Sequence, residues 1–367
     1  MKKVLFVSKP IVPPWHDGSK NFVRDVASHL MRTNAVVMSV PGAGKVGDRV
    51  VTEPVYREGG TFAPGLVANA RVAWRLFTGE PHDLWHFVFA PSPRTTKIAK
   101  MAIERRRKKG WNGKVVQSIA SAPKVFDASL LFGDVAVTMS EHTRQKFLAA
   151  GVDAKKILTI PPCAPAPTAA TRDEERALRK QLDLGDGPIV TFPGDYEVST
   201  GAETVANAAR AILAAKPNAR IVFACRPKTP KSKEAQAKIV GILEASGVAA
   251  AVRHVGELPS LAPLLSISKA ILFPVDDLYG KVDLPLVLLE ALALGVPLVL
   301  AKGGPLEEIE AARYVEPANA EALAAAAIAL LDNPGDLPSK SRVRYMQMYR
   351  PVIVARHFDD LYAALGA

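Results

Sequence analysis

The sequence, 367 residues long, is poor in cysteine: it has two, Cys163 and Cys225, far apart. One distant pair makes no disulfide framework, and no Cys or His spacing matches a metal-ligand pattern. The chain is therefore expected to bind no metal and to work in a reducing compartment. Long apolar runs are also missing. Although 49% of the residues are hydrophobic, no run reaches the roughly 18–20 residues that a membrane span requires. The opening stretch, residues 1–8, reads as a buried strand. Its apolar part is too short for a signal peptide and no small-residue cleavage site follows, so a cytoplasmic location is expected. No helix-turn-helix, zinc-finger or basic–aromatic pattern occurs, which sets nucleic acid aside as a partner.

What the chain does have is positive charge, +11 in all, unevenly spread. Residues 1–165 carry 25 Lys+Arg against 12 Asp+Glu, a balance of +13, and residues 166–367 carry 22 against 24, a balance of −2. The densest cluster, Glu104-Arg-Arg-Arg-Lys-Lys109, ends an expected helix. Cations suit a helix C-terminus, so part of the cluster is structural. Beyond that it is either a solvated face or a contact with anionic membrane or an acidic acceptor.

Short apolar runs alternate with helix-periodic stretches, the pattern of parallel α/β architecture. In the first half strands are expected at 4–8, 35–40, 84–89, 114–119, 135–140 and 157–161, and helices at 19–32, 66–77, 95–109 and 141–150. The proline-rich segment 161–168 reads as a linker. Beyond it, strands at 189–193, 220–225, 251–255, 270–274 and 297–302 alternate with helices at 200–214, 232–246 and 286–295. Alanine-rich helices follow at 319–331 and 351–365. The expected organisation is a basic Rossmann-like domain over 1–165, a second Rossmann-like domain over 166–350, and a C-terminal helix, 351–367, packing back on the first.

The most informative segment runs Asp283-Leu-Pro-Leu-Val-Leu-Leu-Glu290-Ala-Leu-Ala-Leu-Gly295-Val-Pro297. It reads as a helix with one carboxylate among Leu and Ala, closed by Gly295 and followed by a strand. A lone Glu there either binds something or serves as a cap or structural group. It stands where loops at the carboxyl ends of parallel strands gather ligands. With Gly303-Gly304-Pro305-Leu306-Glu307-Glu308 after it, this block resembles the donor-site signature of family-4 retaining glycosyltransferases. These have the GT-B fold, two Rossmann-like α/β domains with an inter-domain cleft. The resemblance implies transfer of a sugar from a nucleotide-sugar donor, with no metal and no further cofactor. It implies Glu290 on the ribose hydroxyls, with Gly303 and Gly304 lining the donor pocket.

Other residues follow the family in part. The loop after the first strand carries Trp15, His16, Asp17, Gly18 and Ser19 ahead of a helix, where backbone N–H groups meet an anion or a hydroxyl. The resemblance gives Gly18 and Ser19 to the donor and Trp15, His16 and Asp17 to the acceptor side; the plain alternative is a turn capped by Ser19. His86, in Asp83-Leu-Trp-His86, resembles the family's strand-end His, either a catalytic group facing the cleft or a satisfied core residue. The family's next His is missing, and Gln117, Ser118 or Ser121 stands nearby as a sugar contact, Ser118 on the acceptor side. The family's Gly-Arg, four residues, Lys-Gly is here Gly194-Asp195-Tyr196-Glu197-Val198-Ser199-Thr200-Gly201. Two cations are lost, and Asp195 and Glu197 would repel a diphosphate. Gly194 and Glu197 stay assigned to the donor side. Arg226 and Lys228, after the 220–225 strand, are positioned to restore the charge, unless Arg226 pairs with Asp195 or Glu197. Asp283 either caps its helix or meets a donor hydroxyl. These departures leave two further readings open: a non-catalytic relative that binds a nucleotide or phosphorylated sugar, and an enzyme with an unconventional phosphorylated donor.

Overall fold

The computed structural model describes residues 1–59, 64–227 and 230–366. In chain order the first half forms β1 (Lys2–Val7), α1 (Gly18–His29), β2 (Thr33–Ser39), β3 (Val50–Pro54), α2 (Leu66–Thr78) and β4 (Leu84–Phe89). It continues with α3 (Pro93–Lys108), β5 (Lys114–Ile119), β6 (Val135–Thr138), α4 (Glu141–Ala149) and β7 (Ile157–Thr159). The second half forms α5 (Arg172–Gln181), β8 (Ile189–Phe192), α6 (Gly201–Ala215), β9 (Arg220–Phe223), α7 (Ser232–Ala245) and β10 (Val252–His254). Then come α8 (Ala262–Ile267), β11 (Ala270–Phe273), α9 (Leu286–Leu294), β12 (Leu298–Ala301) and β13 (Arg313–Val315). The last helices are α10 (Ala320–Asp332), α11 (Leu337–Met348) and α12 (Pro351–Ala364).

The chain divides into two compact units. One comprises Met1–Pro165, Tyr279–Leu286 and Met348–Ala367, the other Ala166–Leu278 and Val287–Gln347. In the first unit seven parallel strands run in the order β3-β2-β1-β4-β5-β6-β7. In the second, six run β10-β9-β8-β11-β12-β13, also parallel. In both, the order reverses beside the unit's first strand. The switch points, where open α/β sheets leave a crevice at the strands' carboxyl ends, are therefore β1/β4 and β8/β11.

Side chains alternate across the first sheet as a pleat requires. Val4 and Phe6 point into a core shared with α1 and with Phe358 and Tyr362 of α12, while Leu5 and Val7 meet Trp85, Phe87 and Ile103 on the other face. Helix α12 is thus part of the first unit's core. Asp359 fastens it, accepting from Met31 N–H at 2.7 Å, Arg32 N–H at 3.1 Å and Thr33 Oγ1 at 3.0 Å.

Residues 279–286, read from the sequence as part of the second domain, pack with the first unit. Val282 is buried in the α1/α12 core, and Asp283 accepts a hydrogen bond from Ser140 Oγ at 2.5 Å. Burying Val282 and pairing Asp283 there explains the excursion.

Candidate functional site

On the second unit, β8, β9 and β11 each end in phenylalanine, and the three rings form a row under the switch point. Phe192 lies 5.7 Å from Phe223 and 6.2 Å from Phe273, centroid to centroid. Close packing at this end of the sheet explains two glycines after β8, one above the floor and one at the start of α6. A Cβ on Gly194 would stand 2.1 Å from the Phe192 ring, and one on Gly201 would stand 2.9 Å from Val275.

The loops above the floor are acidic. Asp195 is buried. Glu197 accepts from Ser232 Oγ, at the start of α7, at 2.5 Å. Thr200, the N-cap of α6, donates its backbone N–H to Asp276 Oδ1 at 3.2 Å, a bond that spans the β8/β11 switch point. Arg226 is half-buried beyond β9, and Lys228 lies outside the described residues.

Glu290 sits half-buried in α9, whose neighbouring residues Leu288, Leu289, Ala291 and Leu292 are all buried. At the carboxyl end of β12, Lys302 pairs with Glu316 at 2.8 Å. Gly303 follows with a left-handed φ of 83°, which glycine adopts without strain. A Cβ on Gly303 or Gly304 would meet nothing within 4 Å. Packing therefore does not demand two glycines here, and the backbone is left open to a ligand.

On the first unit, the loop after β1 is ordered by Asp17. Asp17, not Ser19 as read from the sequence, is the N-cap of α1, accepting from the Ser19 and Lys20 N–H groups. Ser19 Oγ donates to the same carboxylate at 2.6 Å, and Lys9 pairs with it at 2.5 Å. Burial acts to raise the Asp17 pKa, but the Lys9 charge and the bonds from Lys9, Ser19 and Lys20 bring it below the ordinary value. Trp15 carries the Arg24 guanidinium 4.8 Å from its ring centroid and the Lys20 ammonium at 5.7 Å. His16 is exposed. Gly18 is held by close packing, since a Cβ would stand 3.1 Å from Val282 Cγ2.

Three assignments need correction. His86 does not face a cleft. It is fully buried, with Nδ1 2.6 Å from Tyr362 Oη and Nε2 2.7 Å from Ser118 Oγ, between Phe6 and Phe358. Burial lowers its pKa to about 3, so it is neutral and structural. Ser118 is equally buried and spends its hydroxyl on His86, so it is no sugar contact. Asp283 neither caps α9 nor reaches solvent. It lies at the start of α4, bonded by Ser140 and Thr143, and burial raises its pKa. Sequence reasoning passed over Asp276 as a site residue. Its position directly after β11, at the switch point, was the available signal.

Among the described residues no group of three or more His, Cys, Asp or Glu is arranged to hold a metal, and no helix is long and apolar enough to cross a membrane.

Residues 187–333 match the family model for glycosyl transferases group 1. The matched region runs from β8 into the end of α10 and contains Gly194, Glu290, Gly303 and Gly304. No curated protein matches the chain by sequence. The fold is that of HepE from Anabaena in complex with UDP and glucose, at 15% identity over 99% of this chain and 100% of that one, with a TM-score of 0.75. Sucrose-phosphate synthase from Thermosynechococcus elongatus is similar at 18% identity over 100% and 99% of the two chains, TM-score 0.76. A UDP-forming α,α-trehalose-phosphate synthase from Burkholderia xenovorans, in complex with glucose-6-phosphate, superposes at 14% identity over 100% of both chains, TM-score 0.71. The expected GT-B fold and the glycosyltransferase resemblance are borne out at this level.

Proposed function

We propose that this chain is a cytoplasmic, metal-independent retaining glycosyltransferase that uses a nucleotide-sugar donor. The observation that carries the reading is the coincidence of three things in the family-matched region: a sheet switch point over an aromatic floor, a half-buried Glu290, and the open Gly303–Gly304 backbone. Glu290 is assigned to the ribose hydroxyls, Gly194 and the two glycines to the donor pocket, and Arg226 with Lys228 to the leaving-group charge. Trp15 and His16 are assigned to the acceptor side, with Gly18 and Ser19 beside the donor phosphates. Asp17 acts by shaping that loop. The departing diphosphate takes the acceptor proton, so no side-chain base is required, and rate comes from positioning and from stabilising the developing charge. HepE has a structure with UDP-glucose, which makes UDP-sugars the first donors to try.

A second reading, a relative without activity that binds a nucleotide or phosphorylated sugar, is favoured by Asp195 and Thr200 in the two cationic positions of the family motif and by the missing second His. A thermal-shift panel of nucleotides, nucleotide sugars and sugar phosphates, followed by donor turnover assays, separates the readings. Binding with turnover supports transfer, binding without hydrolysis or transfer across the panel supports the non-catalytic relative, and stabilisation by sugar phosphates alone points to the unconventional donor. The basic first unit is assigned a peripheral contact with anionic membrane.

A further inference from the structure

Helix α2 packs Ala68, Val72, Leu76 and Phe77 against the first unit's core and leaves further apolar residues on its outer side. Its residues Leu66, Val67 and Trp74 are 76%, 72% and 71% exposed, Ala70 between them is exposed as well, and Leu76 is its one fully buried side chain. Positions 66, 70 and 74 recur every four residues, so they form one stripe along the helix. An apolar stripe containing Trp and facing water marks an interaction surface rather than a stray exposed residue.

The orientation of that stripe is fixed from behind. Arg106 of α3 is buried, and its guanidinium donates to Leu76 O at 2.8 Å and to Gly79 O. This bond clamps the C-terminal turn of α2 onto α3, using a cation where carbonyls lack partners. Arg105 stands over the Phe77 ring at 6.0 Å, and Arg105, Lys108 and Lys109 are exposed beside the same turn. Lys100 of the same helix is directed elsewhere, donating to Ser129 O at 3.1 Å. Arg106 therefore belongs to the scaffold, while its neighbours supply the surface charge.

We infer that the outer face of α2 and the basic end of α3 form a docking surface for an anionic lipid bilayer, with Leu66, Val67 and Trp74 entering the interfacial layer and Arg105, Lys108 and Lys109 meeting the headgroups. A second copy of the chain would meet the same cations and be repelled by them, whereas acidic headgroups complement both parts of the surface. The inference deepens the proposed membrane contact by naming its surface, and it does not depend on the transfer chemistry.

The test is co-sedimentation of the full chain with phosphatidylcholine vesicles with and without about a third phosphatidylserine, at low and high salt. Binding should require the acidic lipid and fade with salt. Leu66→Ser with Val67→Ser and Trp74→Ala should weaken it at least fivefold with an unchanged melting temperature. Arg105→Gln with Lys108→Gln and Lys109→Gln should also weaken it, by roughly fivefold per cation. Arg106 is left intact in every variant. Equal binding to neutral vesicles, no binding to either, or an apolar variant that binds like the wild type overturns the inference. So does light scattering that shows a dimer abolished by the apolar variant, which would assign the surface to a second copy. Vesicle binding by a wild-type chain that shows no transfer with any donor would count against the proposed enzyme alone.

Discussion

Tyr362 Oη lies 2.6 Å from Nδ1 of His86, joining the C-terminal helix to the fourth strand of the first sheet. The imidazole is held neutral between Tyr362 and Ser118, its pKa lowered to about 3 by burial from an ordinary 6.5. For a base whose folded pKa lies below its unfolded one, the stabilisation is complete above 6.5 and is lost as pH falls below it. There the unfolded chain binds a proton that the folded chain refuses. Urea titrations of the wild type should lose up to about 1.4 kcal/mol per pH unit from this group between pH 6.5 and 4.5. A His86→Gln variant should lack that component. Parallel pH profiles for the two proteins would refute the assignment.

The Asp283–Ser140 bond makes a second expectation. Asp283→Ala strands the buried Ser140 hydroxyl and should destabilise the protein by about 1–3 kcal/mol in urea unfolding at neutral pH. Asp283→Asn keeps an acceptor of similar size and should cost less. Equal losses in the two variants would mean that charge, not the hydrogen bond, matters at this position.

Asp276 occupies a backbone N–H at the start of α6, where the helix dipole favours a negative group. An incoming diphosphate at this switch point meets that carboxylate as a like charge. Asp276→Asn is expected to tighten UDP binding by about three- to tenfold at low ionic strength, measured by calorimetry. The neighbouring Asp277→Asn is the control. Equal tightening in both would reduce the effect to net charge.

Glu290→Ala should weaken UDP binding by about 1.5–3 kcal/mol, the scale of a charge-assisted hydrogen bond, with the melting temperature little changed. Unaltered affinity in a folded variant would return Glu290 to a structural role.

The parallel strands that build both sheets were legible because buried strands announce themselves as short apolar runs between turns. β8, β9, β11 and β12 each fall within the expected ranges. β3 and β13 were not: Val50–Pro54 is a partly exposed edge strand that includes Glu and Pro, and Arg313–Val315 is an edge strand of only three residues. α5 buries no residue, so it shows no apolar stripe, although the Thr171–Glu174 capping box marked its start. The donor-side glycines were visible as a motif, but the reason for Gly194, the Phe192 ring, was not. His86, Ser118 and Asp283 were misassigned for one physical cause. Their partners lie 276, 32 and 143 residues away, and a polar residue looks equally chemical in sequence whether its partner is a substrate or a distant side chain.

Because the first unit draws on Met1–Pro165, Tyr279–Leu286 and Met348–Ala367, whereas the second ends at Gln347, removal of α12 acts on one unit alone. Every segment of the second unit precedes that helix. The first sheet would lose Phe358 and Tyr362 from the side that buries His86, and apolar surface would open there.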